Sequence, residues 1–503
     1  GAVDVHLALL DSALAANDTG LAHTALLRAG RSQLSRSVTA AQLRGSDPAA
    51  SAVIARAQDA ARLASEADDT LRALIGSGAP RSQIAAAASA AQQAQARARQ
   101  ARAAIPQASP QLQLFGLGPV ASMPEIQAAL PSGSGVLFLL AGRHHVFSGL
   151  VVSNAVTIRR LSVSRATLAS QVARVRRSSE FERTRTGYRT RPFDFANAGR
   201  LYAALIAPLN AAAAGVRRLY IVRTAPLDGA AVATFWDRPR LRWFSDDFAS
   251  SIVLDPSLLA RRERARSSRS TRAVLAMGDP HVGGASFLRD LTIDGVAPAI
   301  PSPRPAAAAA ASSLPMAREE LQAIVGAFHP QPSLQLVGAE ATERAFREQA
   351  VRGYRVIALA THAVTRSPRF QRPQPAIVFT PAGRAAENDG LLHSAEVEGL
   401  RIPSDLIVLS ACETAAGNGL PGAEALSGLA QAFLYAGSRR VLATQWKVES
   451  RAAARLVADV AGGLNRGDLA SPLKEAMERL RSALPTRHPA YWAPYVLVEN
   501  SIN

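Results

Sequence analysis

Asp405-Leu-Ile-Val-Leu-Ser-Ala-Cys-Glu-Thr414 holds four consecutive apolar residues, Leu406 to Leu409, that give way at Ser410 to small and polar ones. A run of this length and branching has the pattern of a buried strand, and the change at Ser410 marks its C-terminal end. Cys412 is the single cysteine of the chain, and it falls at the edge where open parallel sheets build their sites. A second segment has the same form, with Tyr354-Arg-Val-Ile-Ala-Leu-Ala-Thr361 running into His362. If the two strands are neighbours in one parallel sheet, imidazole and thiol meet at one edge. The helical stretch between them is long enough for the crossover that parallel pairing needs. The pair makes chemical sense because a free thiol is mostly protonated at neutral pH, and an imidazole can take its proton or stabilise its thiolate. The backbone N–H groups of Cys412 and Ala363 are then donors for a developing oxyanion. Taken alone, a lone cysteine reads as a small buried hydrophobe and a lone histidine as a packed or solvated ring. It is the position of both at strand ends that singles them out.

Further strings extend the reading. Ala360-Thr-His-Ala363, Leu409-Ser-Ala-Cys-Glu-Thr414, the helix-like 423–437, the strand-like Arg440-Val-Leu-Ala-Thr-Gln-Trp446 and the terminal His488-Pro-Ala-Tyr-Trp-Ala-Pro-Tyr495 together resemble the CHAT family. These are caspase-like cysteine peptidases, relatives of separase, often found behind helical tetratricopeptide repeats. The interval of 50 residues from His362 to Cys412 is also that of caspases. The resemblance is specific from Met316 onward and weaker from Gln111. It implies a three-layer α/β sandwich, with an inactive caspase-like half ahead of an active one. It also implies a His362–Cys412 dyad acting on a protein substrate, with no metal and no cofactor.

Two departures from the family bear on the site. Ala363 stands where glycine is common, and it still offers its N–H provided φ is negative. After Trp446 relatives often carry acids, which in separases receive an arginine P1 side chain. Here the segment reads Lys447-Val-Glu-Ser-Arg-Ala-Ala-Ala454, leaving Glu449 between two cations, so the expected P1 residue is uncharged or small. Asp389, Glu413, Trp446 and Glu449 are the candidates for substrate contact, although Asp389-Gly390 reads first as a turn.

Composition bounds the alternatives. At 503 residues the chain exceeds one ordinary core. Its formal charge of +18 comes almost wholly from arginine, lysine occurring only at 447 and 474. The basic runs 174–191 and 261–272 are serine-rich and poor in aromatics, so they read as solvated faces rather than a nucleic-acid groove. No run approaches the roughly 18 apolar residues of a membrane span. One cysteine excludes an intrachain disulfide and so leaves the redox compartment open; the localisation is undetermined by the sequence, with the cytoplasm favoured. His144 and His145 fall at a hairpin, where adjacent residues of a strand point to opposite faces, with no carboxylate nearby in sequence, so joint metal ligation is not expected. Gly417-Asn-Gly-Leu-Pro-Gly422 matches G-x-G-x-x-G, and a dinucleotide-binding fold is the competing reading. The five residues from Cys412 to Ala416 intervene before Gly417, where a dinucleotide-binding fold has its first glycine almost directly off the strand, and Pro421 occupies the turn, which favours a loop bordering the cysteine. A non-catalytic scaffold that binds a protein partner is the other alternative.

Domain organisation follows the composition. Residues 1–110 are rich in Ala, Arg and Gln and predict helices, among them 50–74 and 81–104, as a packing module or the tail of a repeat array that could bind a regulatory protein. Residues 111–296 mix strands (136–141, 146–152, 155–161, 218–222) with helices (123–130, 164–177, 197–209). Residues 297–315 are a proline- and alanine-rich linker, and 316–503 form the catalytic half.

Overall fold

The computed structural model of the chain describes residues 2–30, 80–103, 121–184, 187–260, 271–282, 315–364, 375–382, 389–410, 428–446 and 448–499, with scattered positions between 56 and 74. An eleven-stranded mixed sheet organises the main unit. In chain order its strands are β1 (Ser134–Ala141), β2 (Val146–Val152), β3 (Ala155–Leu161), β4 (Arg218–Arg223), β5 (Ala249–Val253), β6 (Val274–Pro280), β7 (Leu334–Gly338), β8 (Val356–Ala360), β9 (Leu406–Leu409), β10 (Arg440–Thr444) and β11 (Tyr495–Glu499). In space they run β7-β6-β8-β9-β10-β11-β5-β4-β1-β2-β3. The block β7 to β10 is parallel throughout. β11 turns antiparallel to β10 and then pairs in parallel with β5, so the two halves share one continuous sheet. A buried ionic cluster sits at that junction. Glu499 of β11 accepts from Arg218 of β4 at 2.6 Å, from Arg440 of β10 at 3.2 Å and from the Ser251 hydroxyl of β5 at 2.5 Å.

Helices cover both faces, as a sheet buried on two sides requires. In the first half, α1 (Ala2–Ala15) and α2 (Thr19–Ala29) bury Leu7, Leu10, Leu26 and Leu27 against Phe138, Phe147 and Tyr220. Asp18 caps α2 by accepting the Leu21 N–H at 2.9 Å, and Asp4 accepts the Arg143 N–H at 2.6 Å. These first residues therefore belong to the sheet layer, whereas composition grouped them with the helical stretch that follows. Their leucines are what decides, because an alanine-rich neighbour offers far less area to bury. Residues 33–119 form a separate unit that contains α3 (Arg81–Ala103). Most of the expected helix 50–74, and the string 104–110, lie outside the described residues. On the sheet's other face, α5 (Arg165–Ser179) and α6 (Phe195–Leu205) pack Val172 and Leu201 onto Leu137 and Ile221. On the face of α1 and α2, α4 (Met123–Ala129) adds Met123 and Ile126 and begins at a capping box formed by Ser122 and Glu125.

In the second half, α7 (Pro315–Gly326), α10 (Ser450–Gly462) and α11 (Ala470–Ser482) form one apolar layer over Val356, Ala358, Leu406, Val408 and Leu442. The alternate residues Ile357, Ile407 and Val441 are equally buried, and α8 (Glu343–Ala350) and α9 (Gly428–Tyr435) contribute Phe346 and Phe433, whose rings are nearly perpendicular with centroids 6.2 Å apart. The result is a three-layer α/β sandwich preceded by helices. By its pairing, β6 joins the second half, although it precedes the boundary expected at 296. Residues 297–314 of the expected linker lie outside the described residues.

One expectation is corrected. His144 and His145 occupy the turn between β1 and β2 rather than a strand, and the Asp11 carboxylate of α1 comes to 3.8 Å of His145. The carboxylate reaches the turn because α1 folds back over the hairpin, which no local spacing reveals. Among the described residues no helix is long and apolar enough to cross a membrane, and no group of three or more potential ligands gathers to hold a metal.

Candidate active site

The parallel register of β8, β9 and β10 fixes the edge on which the candidate residues fall. Leu359 pairs with Leu409, and Leu409 with Ala443. The Ser410 N–H donates to the Leu359 carbonyl at 3.0 Å. Three strands thus end level with one another, and His362, Cys412 and Trp446 each come three positions after a member of that row. Cys412, Glu413, Lys447 and the glycine-rich string 417–422 lie outside the described residues.

His362 is half-buried and leads into a small antiparallel sheet formed by Ala363–Val364, Ala376–Val378 and Leu391–His393. The Val378 N–H donates to the His362 carbonyl at 2.9 Å, and the Thr361 hydroxyl donates to the Val378 carbonyl at 2.6 Å. Ala363 pairs with Ile377. Because the bond from Val378 flanks that pair, Ala363 and Ile377 form a non-hydrogen-bonded couple, and the Ala363 N–H points away from its hairpin neighbour. Left-handed φ among described non-glycine residues occurs at Asn17, Leu241 and Asp279, not at Ala363. The condition for an alanine in this place is met.

The remaining sequence candidates separate. Trp446 is 1 % exposed, and its Nε1–H, like the side-chain amide of Gln445, is buried with no hydrogen-bond partner among the described residues. Glu449 is committed elsewhere. It is the N-cap of α10, accepting from the Arg451 N–H at 3.2 Å and the Ala452 N–H at 2.9 Å, the use that an oxygen-bearing side chain has at a helix start. Asp389 accepts the Leu391 N–H at 2.9 Å, the local bond of an Asx turn.

Residues that the sequence did not single out also reach this edge. Gly278 of β6 pairs with Ala360, and a Cβ there would stand 2.2 Å from the Ala360 carbonyl oxygen, so only glycine permits the approach. The next residue, Asp279, has φ of 45° and is held by Arg318 of α7 at 2.5 Å. Two positions on from Arg318, Glu320 is 4 % exposed and lies under the end of β9, with Oε1 inaccessible and unpartnered among the described residues. The Ser410 hydroxyl is 3.5 Å from the Tyr495 hydroxyl. Burial pushes the Glu320 carboxyl up to about 7, with the Ser410 hydroxyl pulling the other way. The Tyr495 phenol is raised well above its ordinary range, first by burial and then by Glu320. In sequence, Arg318-Glu319-Glu320 looks like the polar face of a helix, so nothing local marked Glu320.

A mixed α/β sheet with a histidine at the end of one central strand and a cysteine following the next defines a class of site, and the CHAT domain model matches residues 196–500. The chain belongs to the CHAT domain family. Among curated proteins it is similar to Tetratricopeptide repeat protein 28 of Mus musculus, 35% identical over 113 residues, and to that of Homo sapiens, 32% identical over 113 residues. Each match covers 22% of this chain and 4% of the relative's length. Among solved structures it is similar to the Saccharomyces cerevisiae separase-securin complex, at 9% identity and a TM-score of 0.41 over 76% of this chain and 31% of that one. It is also similar to the Arg specific cysteine proteinase gingipain R, at 8% identity and a TM-score of 0.33 over 61% and 66% of the two chains.

Proposed function

We propose that this chain is a cysteine endopeptidase with His362 and Cys412 as its dyad. The observation that carries the reading is the level ending of β8 and β9, from which the two residues follow at equal distance along the chain. Cys412 comes two residues after Ser410, and covalent geometry keeps its Cα within about 7 Å of the Ser410 Cα. In the reaction the Cys412 sulfur attacks the scissile carbonyl carbon while His362 takes the thiol proton. The N–H groups of Ala363 and Cys412 stabilise the oxyanion, and the outward N–H of Ala363 supports that role. His362 then gives its proton to the leaving amine, and water hydrolyses the thioester to free acid and thiol. Metal and cofactor have no part in this scheme.

For specificity, we propose that P1 is uncharged or small. Both oxygens of Glu449 serve the cap of α10, and a guanidinium buried without a carboxylate would lose its pairing while keeping most of its desolvation cost. Trp446 is the candidate wall of the pocket. The N-terminal segment 1–110, with α3 in it, is proposed as the surface for a regulatory protein.

The test is Cys412→Ala. Cleavage of a peptide library, and labelling by a thiol-directed electrophile, should both vanish while circular dichroism is unchanged. Proteolysis that persists in the variant would move the activity elsewhere. Equal labelling of native and unfolded wild type would favour a scaffold.

A further inference from the structure

A cavity lies between α11 and the sheet, where the two halves meet. The first half supplies Arg223 at the end of β4 with Ser250 and Ile252 of β5, and the second supplies Leu473, Lys474 and Met477 from one face of α11 together with the start of β11. The space open to the centre of a water molecule is about 40 Å³, enough for about three or four waters. The cations among the lining residues are Arg223 and Lys474, and they differ in how far they are satisfied. Lys474 donates to Glu478 on the next helical turn at 2.6 Å. Arg223 donates from Nη1 to the Ala230 carbonyl at 2.7 Å, but its Nε and Nη2 are closed to bulk water and have no hydrogen-bond partner among the described residues. Asp228 is the acid whose charge reaches it, yet it is bonded to neither nitrogen. Burial lowers the Arg223 pKa to about 10, with Asp228 pulling the other way, so the guanidinium stays charged at neutral pH. A buried charged donor in this state is costly, and buried polar groups of folded proteins nearly always have a partner. Nε and Nη2 together form one edge of the guanidinium, whose two parallel N–H groups match the two oxygens of a carboxylate.

We propose that this cavity is a binding site for a short-chain monocarboxylate, of the size of propionate or butyrate, held by the Nε–Nη2 edge of Arg223 with its carbon chain against Ile252, Leu473 and Met477. The charge of the guest follows from the unpartnered edge. Its size follows from the free space, since three or four waters fill about 90–120 Å³ of liquid. A single bond anchors the head of Arg223, so a small turn of the side chain presents the edge to the guest. Because the walls come from both halves of the sheet, a bound acid ties them together and stabilises the folded chain by mass action. The site is independent of the endopeptidase reading.

The experiment titrates the full wild-type chain with sodium butyrate at constant ionic strength and follows binding by saturation-transfer NMR of the butyrate methyl group, beside the thermal midpoint. Binding should saturate and the midpoint should rise with it, whereas butyramide, which has the shape without the charge, should do neither. Arg223→Lys keeps a cation and loses the two-pronged edge. It should weaken butyrate at least about tenfold, since a hydrogen bond to a charged group is worth that much. The inference is overturned if the wild type shows no saturable binding, if butyramide binds as well as butyrate, or if Arg223→Lys binds as well as wild type. If Arg223→Lys does not fold, Ser250→Leu fills the cavity from its half-buried wall; butyrate binding should then be lost, and unchanged binding is equally fatal. None of these readouts uses peptide cleavage, so failure of this site and failure of the endopeptidase reading are seen apart.

Discussion

Replacing Glu499 by Gln removes one negative charge from the seam that joins the two halves of the sheet, and the cost can be worked out from its partners. The carboxylate is 4 % exposed and receives Arg218 at 2.6 Å and Arg440 at 3.2 Å, with the Ser251 hydroxyl at 2.5 Å. In the variant Arg218 keeps Asp468 at 3.4 Å, but the nearly buried Arg440 is left with the Gly467 carbonyl at 2.9 Å. Breaking a buried pair while the other charge stays inside costs about 3–5 kcal/mol. Retention of Asp468 and an amide oxygen that still accepts bring the expectation to the lower end, about 3 kcal/mol. Urea denaturation followed by tryptophan fluorescence should show the loss, with the slope of the transition unchanged because the same surface is exposed on unfolding. A double-mutant cycle with Arg440→Met should return a coupling above about 1 kcal/mol. A loss below about 1 kcal/mol would mean that the pair is solvated in the way of surface ion pairs, and would refute the claim that the halves are locked at this point.

Other outcomes follow from single contacts. Gly278→Ala drives a methyl against the Ala360 carbonyl; it should lower stability by about 1–3 kcal/mol as overpacking does, and reduce cleavage because Ala360 lies two residues before His362. Thermal melts together with initial rates check it. The Glu320 carboxyl is raised from 4.5 to about 7, so the folded state holds its proton more firmly than the unfolded one. Below about pH 4.5 both are protonated and the group is neutral in its effect; as pH rises to about 7 its share of stability falls by about 3 kcal/mol and then levels off. Glu320→Gln should therefore gain on wild type between pH 4.5 and 7 in denaturation curves, and a constant difference across that window would contradict the burial argument. A peptide library should show P1 preferences for uncharged or small residues, and a strong arginine preference lost on Glu449→Gln would show that the cap at α10 opens to substrate.

The strands that build the site were legible because their signals are local. Val356 to Ala360 and Leu406 to Leu409 are unbroken apolar runs that end in polar residues, and a strand buried on both faces leaves that trace. β6 was not, since Val274-Leu-Ala-Met-Gly-Asp-Pro280 mixes small residues with a proline, and its place depends on Gly278 fitting against Ala360. The same limit hid the partners of acids. Glu449 reads as a pocket acid until its cap on α10 is seen, Glu320 as a surface residue until α7 is laid on the sheet, and Asp11 as unrelated to His145 until α1 folds back. For Glu320 and Asp11 the residue type was plain and the partner came from a distant element, which periodicity does not report; for Glu449 the partners are the N–H groups of the next helical turn, and what hid them was where α10 begins.

A His362–Cys412 dyad exists only if the two side chains meet at the ends of neighbouring strands. A crystal structure of the full chain with a peptide-derived electrophile bonded to Cys412 measures this directly. A working dyad requires a His362 ring nitrogen within about 4 Å of the Cys412 sulfur, the loose end of hydrogen-bond reach for a nucleophile and its base. Separation by more than about twice that distance, with no rotamer of either side chain able to close it, would contradict the dyad.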